Sequence, residues 1–160
     1  MNRIGKLAFA LLVACSAFSS CSKSESNRCA PVLTTAPSDE VARLQSEMSL
    51  HDITATGDNR GFFYIISRTG DEMKKPGVCS RVKVSYTLRL MSGAQLDAGN
   101  NMSFLLSTVV AGWQEGMPLI GEGGYITLYL PPSLGYGANG NGSVPPNANL
   151  VFQIELVAVE

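Results

Sequence analysis

One short segment organises the rest of this chain: Val109-Val110-Ala111-Gly112-Trp113-Gln114-Glu115-Gly116. It holds the only tryptophan in the sequence, Trp113. Two β-branched residues lead into a glycine and then the large ring, which indicates a strand or loop passing into a short helix. Pro118 predicts that this helix ends soon after, because proline cannot continue a helix. A tryptophan among small residues forms either plain core or the floor of a pocket, and this segment alone favours core.

Strands on both sides of this segment are predicted to form an antiparallel sheet. The clearest is at 82–90, where apolar and polar residues alternate as in a strand with one buried face. Its apolar face consists of Val82, Val84, Tyr86, Leu88 and Leu90. Further strands are predicted at 62–67, 103–107, 125–130 and 150–159. With one short helix covering one face of the sheet, the predicted fold class is α+β.

The N-terminus has the features of an export signal. Arg3 and Lys6 precede an apolar run, 7–13, that is too short to span a bilayer as a helix. The small residues that follow resemble a bacterial lipoprotein signal, and we expect a signal peptide at 1–20 with Cys21 as the lipidated residue. Cys15 is a second candidate for lipidation, and an ordinary secretory signal is the alternative. The protein is therefore expected to be exported and anchored in the cell envelope, with the bacterial outer membrane favoured.

The region after the signal divides into three parts. Residues 21–37 are rich in Ser, Thr, Pro and Ala and are predicted to be a flexible tether. Residues 38–60 contain an amphipathic helix, predicted at 39–49 with Ser38 as its N-cap, and a linker. Residues 61–160 form the folded domain. This helix is expected to lie outside the sheet and its central helix.

Composition excludes several classes of function. The net charge is −1 and no basic cluster is present, so nucleic acid is not an expected partner. The sequence has one histidine, His51, which rules out a multi-histidine metal site. We expect chemistry without a metal, a cofactor or a covalent intermediate. Beyond the signal region, Cys29 and Cys79 are either a disulfide or two separate thiols.

A long loop separates the last two predicted strands. It covers residues 131–148 and is rich in proline and glycine, and loops of this length in compact domains are usually functional. Its Gly135-x-Gly137-x-x-Gly140 pattern matches a dinucleotide-binding fingerprint, but no helix follows, so we reject that function. Tyr136 sits between two glycines, where packing explains it poorly, and it is a candidate functional residue.

Several segments form a recognisable set when they are taken together: Val84-Ser85-Tyr86-Thr87, Leu96-Asp97, 109–116, 128–137 and 144–156. In this order and spacing the chain resembles the FKBP-type peptidyl-prolyl cis-trans isomerases over about residues 61–160. The resemblance implies a twisted antiparallel sheet wrapped around one short helix. It also implies an enzyme that accelerates rotation about X–Pro bonds during the folding of envelope or secreted proteins. The expected partners are proline-containing polypeptides and, through the lipid anchor, a membrane; the chain is expected to be a monomer.

The resemblance also implies the residues of the site. Trp113 would form the floor beneath a substrate proline, and Tyr136 would donate its hydroxyl hydrogen to a substrate carbonyl. The implied catalytic set is Tyr86, Asp97, Trp113, Tyr136 and Phe152. The implied substrate-binding residues are Leu96, Met102, Val109, Val110 and Val144. Taken singly, Tyr86, Trp113 and Phe152 are more typical of core.

The chain departs from the family pattern at the pocket edge. Leu96 stands where active members usually have phenylalanine, Met102 replaces another aromatic residue, and the flap at 138–144 is slightly short. These differences keep open a binding or chaperone module with little isomerase turnover. A third hypothesis is an interaction protein that reuses the fold, but the retained Asp97, Trp113 and Tyr136 argue against it.

Overall fold

The computed structural model describes residues 29–30 and 33–160. The predicted signal peptide, the lipidation site Cys21 and most of the tether lie outside these ranges. In the described residues, no helix is long and apolar enough to cross a membrane. The boundary of the folded domain at residue 61 stays a prediction.

The described chain forms a six-stranded antiparallel sheet with two α-helices. The strand order across the sheet is β1-β2-β5-β6-β3-β4. The helices are α1 (Ser38–Leu50) and α2 (Ala111–Gly116). The strands are β1 (Thr56–Gly57), β2 (Phe63–Arg68), β3 (Arg81–Leu90), β4 (Gln95–Leu105), β5 (Tyr125–Leu130) and β6 (Leu150–Val159). The predicted fold class is therefore confirmed, and β1 is a short edge strand that the sequence pattern did not indicate.

The predicted strand at 103–107 is wrong in its bounds. β4 begins eight residues earlier, at Gln95, and residues 106–108 form a 3-10 turn. A bulge explains the difference: two asparagines of β4, Asn100 and Asn101, stand opposite one residue of β3, and Asn101 has a φ of +53°. The extra residue breaks the alternation on which the prediction depended, while pairing with β3 holds the polar stretch as a strand.

The inner face of the sheet carries the core, as the alternation predicts. In β3 the side chains of Val82, Val84 and Leu88 are buried, with Tyr86 and Leu90 packed against the same cluster. In β6 the alternate residues Leu150, Phe152, Ile154 and Leu156 are buried. The centre of the sheet, where β6 pairs with both β3 and β5, therefore forms one wall of the site.

Helix α2 lies on this inner face and approaches β5 closely because it carries two glycines. A Cβ atom at Gly112 would lie 2.4 Å from the side chain of Leu130, and one at Gly116 would lie 2.6 Å from Leu128. Neither distance is possible without movement, so the glycines set the depth at which the helix sits. Pro118, in the 3-10 turn Met117–Leu119, ends the helix as predicted.

Helix α1 packs on the outer face of the sheet. Its buried side chains, Leu44 and Met48, form a second apolar cluster with Met91 and Tyr129. The prediction of Ser38 as N-cap is wrong: Pro37 occupies the N-cap and Ser38 is the first helical residue. The Pro37 backbone is already extended, and its carbonyl accepts the first helical hydrogen bond from Val41 N–H, 3.1 Å away. His51 follows the helix and is exposed.

The two remaining cysteines lie next to each other. Cys79 Sγ is 3.6 Å from the carbonyl oxygen of Cys29, and both are thiols in this structure. A hydrogen bond with the Cys29 thiol raises the pKa of Cys79. A disulfide between them stays a prediction.

Candidate active site

An aromatic cavity of about 240 Å³ opens between α2 and the inner face of the sheet. It draws on three strands, one helix and two connecting segments, so distant parts of the sequence meet there. The lining consists of Tyr86, Phe104, Thr108, Val109, Val110, Trp113, Tyr136 and Phe152. Six of these eight are residues that the sequence analysis singled out.

Trp113 is the centre of this cavity. It is 3% exposed, and three rings from three different strands meet it nearly edge-on. The ring centroids lie 5.4 Å from Tyr86, 6.0 Å from Phe104 and 5.4 Å from Phe152, at interplanar angles of 82°, 88° and 83°. Edge-to-face contacts of this kind add about 0.5–1.5 kcal/mol each beyond area burial. The floor of the cavity is therefore rigid, apolar and part of the core.

The hydroxyl of Tyr86 is engaged at the rim. It donates a hydrogen bond to Oδ2 of Asp97 at 2.7 Å. Burial, and then this hydrogen bond, raise the pKa of Tyr86 to about 12. Tyr86 is therefore an uncharged side chain in the cavity wall, and its hydroxyl hydrogen is used in the bond to Asp97. Asp97, which is exposed, holds this ring in place from outside the cavity.

Tyr136 enters the cavity from the loop between β5 and β6, which we call the β5–β6 loop (residues 131–149). Burial raises its pKa, and the nearby charge of Asp97 adds to the shift. The phenol is therefore neutral at physiological pH and keeps its donor hydrogen. Backbone hydrogen bonds fix the loop on either side of the tyrosine: Gly135 N–H donates to Pro132, and Asn147 N–H donates to the Gly137 carbonyl at 3.0 Å.

The edge formed by Val109 and Val110 is held by a buried side chain. Gln114 is 6% exposed, and its Nε2 donates to the Val109 carbonyl at 2.8 Å. The carbonyl of Val110 accepts from Trp113 N–H at 3.0 Å, which starts α2. Val110 is the N-cap of α2, and the amides at a helix start have no acceptor within the helix. The Val110 amide is thus at the cavity edge as a candidate donor.

Three of the predicted substrate-binding residues do not line the cavity. Leu96 packs against the core, and its carbonyl accepts a hydrogen bond from Ser143 Oγ at 3.1 Å, so the β5–β6 loop rests on β4 here. Met102 is 46% exposed on β4. Val144 is 6% exposed and belongs to the core cluster. These residues surround the aromatic set without joining it.

The sequence analysis missed Phe104 and Thr108. Phe104 lies two residues beyond Met102, on the same face of β4, and packs against Tyr86 as well as Trp113. The i, i+2 alternation of a strand was the available signal, but the predicted strand at 103–107 obscured it. Thr108 ends the 3-10 turn before Val109 and gave no comparable signal.

A second depression is larger but is not enclosed by aromatic rings around Trp113. It has a volume of about 460 Å³ and lies partly over the outer face of the sheet. Its lining includes the polar side chains of Ser85, Thr87, Asn100, Gln153 and Glu155. It shares only Tyr86 with the aromatic cavity, so the smaller cavity is the better candidate for binding an apolar ring.

Comparisons with known proteins agree with this architecture. Residues 72–157 match the family model of the FKBP-type peptidyl-prolyl cis-trans isomerases. The match covers more than half of the chain, and the chain therefore belongs to this family. The expected enzyme class, an isomerase of the FKBP type, is confirmed at the level of the family.

Several bacterial proteins are similar to this chain. The chain is 36% identical over 104 residues to the FKBP-type peptidyl-prolyl cis-trans isomerase FkpA of Buchnera aphidicola, which covers 62% of this chain and 41% of the relative. The crystal structure of FkpA from Escherichia coli superposes with a TM-score of 0.69 at 32% identity, covering 77% of this chain and 60% of that one. The crystal structure of a peptidyl-prolyl cis-trans isomerase from Pseudomonas syringae superposes with a TM-score of 0.67 at 29% identity. The match covers 79% of this chain and 98% of that one.

The chain spans about two fifths of the length of the curated relatives that it matches. What those longer proteins do as a whole is not transferred by the match.

Proposed function

We propose that this chain accelerates cis-trans rotation about X–Pro peptide bonds, with the aromatic cavity as its active site. The observation that carries the proposal is the Trp113 floor surrounded by three aromatic rings, with a neutral tyrosine at its edge. A proline ring is compact and apolar and suits a cavity of about 240 Å³. Rotation about the bond needs no nucleophile, because no covalent bond is made or broken.

The chemistry requires only differential binding. Rotation about an X–Pro bond faces a barrier of roughly 18–20 kcal/mol, which arises from amide resonance. The planar amide is more polar than the twisted one, so an apolar environment disfavours the ground state relative to the transition state. A thousandfold acceleration requires about 4 kcal/mol of such discrimination. Apolar walls with one or two oriented donors are sufficient for this.

The roles that we propose follow the position of each residue. Trp113 supports the proline ring, and Tyr86, Phe104 and Phe152 enclose it. The hydroxyl of Tyr136 and the amide of Val110 donate to the carbonyls that flank the rotating bond. Asp97 acts through Tyr86, whose hydroxyl it holds. Leu96, Met102 and Val144 lie around the cavity and would contact substrate residues beside the proline or support the loop.

One feature favours a second candidate function. Leu96 replaces the phenylalanine usual in active members of the family, and its side chain packs against the core without lining the cavity. The wall at this position is therefore absent, and substrate would be held less firmly in the twisted geometry. A binding or chaperone module that holds proline-containing segments with little turnover is the alternative.

We also propose a cellular setting for the activity. The sequence features at the N-terminus support export, lipidation at Cys21 and anchoring in the cell envelope. The clients would be other envelope or secreted polypeptides. The chain would act there as a monomer on proline-containing segments, with no nucleic acid and no cofactor involved. Labelling with a lipid precursor, compared between the parent and Cys21→Ser, tests the anchor; equal labelling would contradict it.

Exchange NMR on a short peptide with one X–Pro bond tests the enzymatic proposal. The parent chain is expected to accelerate exchange between the cis and trans peptide signals in proportion to its concentration. If the parent binds the peptide without acceleration and Leu96→Phe gains it, the binding module is the correct function. If neither protein binds the peptide nor accelerates exchange, the isomerase proposal is wrong.

A further inference from the structure

Helix α1 contacts the β5–β6 loop near both ends of the loop. Oε2 of Glu40 accepts a hydrogen bond from the backbone N–H of Ser133 at 2.8 Å. Oε2 of Glu47 accepts one from Nδ2 of Asn149, also at 2.8 Å. Ser133 and Asn149 are near the first and last residues of the loop that carries Tyr136. The helix thus makes two hydrogen bonds to one loop, between residues that are 93 and 102 positions apart in the sequence.

The spacing of the two glutamates fits this contact. Seven residues separate them, which is two helical turns, so both side chains project from one face of α1. The rise of about 1.5 Å per residue places them about 10 Å apart along a rigid rod. The two ends of the loop are therefore held at a fixed separation by a single helix.

The helix is anchored where the loop begins and ends. Its buried residues Leu44 and Met48 pack against a cluster that contains Tyr129 and Val151. These two residues are a register pair of β5 and β6, and each is two residues away from the loop. The apolar anchor and the two polar contacts therefore converge on the same end of the sheet.

The hydrogen bond from Ser133 to Glu40 lies three residues before Tyr136 in the same loop. Ser133 lies in the 3-10 turn Pro132–Leu134, and the carbonyl of Pro132 accepts the Gly135 N–H at 2.9 Å. Tyr136 is the next residue. A charged acceptor makes a stronger hydrogen bond than a neutral one, so the carboxylate of Glu40 holds the middle residue of this turn. A shift of the turn would move the phenol within the cavity.

We infer that α1 is a brace for the active site, in which Glu40 and Glu47 are positioning residues that fix Tyr136 through the β5–β6 loop. Neither glutamate touches the cavity. Helix α1 precedes the residues that match the family model, so this role does not come from the family pattern. The inference rests on the proposed isomerase function for its effect on catalysis, but the positioning itself can be measured separately.

Substitutions at neighbouring acidic residues provide the test. Glu40→Ala removes the acceptor for Ser133 N–H, and Glu40→Gln retains an acceptor oxygen without the charge. Asp39→Ala is the matched control, because Asp39 is in the same first turn and its side chain is 77% exposed. Glu47→Ala provides an independent variant at the other end of the loop should Glu40→Ala fold poorly.

Two readouts separate positioning from a general loss of structure. In Glu40→Ala, hydrogen exchange at the Ser133 amide is expected to accelerate by about tenfold, and the ring signals of Tyr136 in NMR are expected to move. The kcat for an X–Pro peptide is expected to fall about threefold to tenfold. Glu40→Gln is expected to retain most of the parent's amide protection, ring signals and kcat. Asp39→Ala is expected to match the parent in all three.

The inference is overturned if Glu40→Ala and Glu47→Ala leave the Ser133 amide and the Tyr136 signals as they are in Asp39→Ala. If the parent shows no isomerase activity, the proposed function fails, while the exchange and ring signals still decide whether the helix positions the loop. Movement of those signals with an unchanged kcat in an active parent would overturn the catalytic part of the inference.

Discussion

The floor of the cavity and the β5–β6 loop contribute to one site but differ in construction. We call Trp113 and the three rings that contact it, Tyr86, Phe104 and Phe152, the aromatic floor; all four lie on strands or on α2 and belong to or pack against the core cluster. The loop carries Tyr136 between two short 3-10 turns and has an exposed tip at 141–143. The floor is fixed by the same apolar contacts that hold the protein together, whereas the segment around Tyr136 is fixed mainly by hydrogen bonds, some within the loop and some from Glu40 and Glu47 of α1.

This difference has a consequence for mutation. Binding of an apolar ring cannot be separated from stability, because the residues that would contact the ring are also core residues. Donation of a hydrogen bond can be separated, because removing the Tyr136 hydroxyl leaves its ring and the core residues of the loop, Leu134 and Val144, in place. Changes in the floor should therefore lower stability, and loss of the Tyr136 hydroxyl should lower activity alone.

The largest expected effect is that of Trp113→Ala. This change removes a ring that three others contact edge-on and leaves a void among buried side chains. Such truncations typically cost about 3–5 kcal/mol in the free energy of unfolding. Urea denaturation followed by circular dichroism measures the loss. A cost below about 1 kcal/mol would mean that the floor is not part of the core in solution.

A smaller loss of stability is expected for Gly112→Ala. The added Cβ would lie 2.4 Å from Leu130, which is fully buried and cannot move freely. Overpacking of this kind costs about 1–3 kcal/mol, and it should also push Trp113 out of place. Gly77→Ala is the matched control, because no atom lies within 4 Å of a Cβ there. Equal midpoints of urea unfolding for the two variants would contradict the close approach of α2 to β5.

The smallest expected effect is on the pH dependence of stability. Folding raises the pKa of Tyr86 from 10.0 to about 12, so the folded state favours the neutral phenol. The stabilisation linked to this shift is complete below pH 10 and is lost as the pH rises towards about 12. We expect the free energy of unfolding to fall more steeply across this window in the parent than in Tyr86→Phe.

Urea unfolding of both proteins at several pH values checks this prediction. Below pH 10 the difference between the two proteins should be constant, which serves as the internal control. Parallel curves above pH 10 would show that folding does not raise the pKa of Tyr86, which would contradict the combined effect of its burial and its hydrogen bond to Asp97.

The sequence predicted the floor better than the surroundings of the cavity, for physical reasons. The alternation in β3 and β6 identifies Tyr86 and Phe152 as inward-facing because a strand has a strict two-residue period. The bulge at Asn100 and Asn101 breaks that period in β4, so the predicted strand began at 103 and left out Met102, whose i, i+2 relation to Phe104 was therefore not used. The alternation of apolar and polar residues cannot show a bulge, because a bulge is defined by the pairing of two strands.

Long-range polar contacts were out of reach of the sequence for another reason. The amphipathic pattern predicts α1 as a helix but does not say which side of the sheet it covers. The contact of Glu40 with Ser133 joins residues 93 positions apart, and neither residue has a feature that identifies its partner. Resemblance to the family did place Tyr136 at the site, since its role depends on a motif and not on a period.

The most direct test of the account compares one change in the loop with one in the floor. Tyr136→Phe and Phe104→Leu are assayed with the same X–Pro peptide, with kcat from exchange NMR, binding from titration and stability from urea unfolding. Loss of the Tyr136 hydroxyl should lower kcat about tenfold, the effect of about 1.4 kcal/mol, with binding and stability nearly unchanged. Phe104→Leu should weaken peptide binding and stability together. If Tyr136→Phe leaves kcat unchanged, or lowers it only by unfolding the chain, the division of the site into a binding floor and a catalytic loop is wrong.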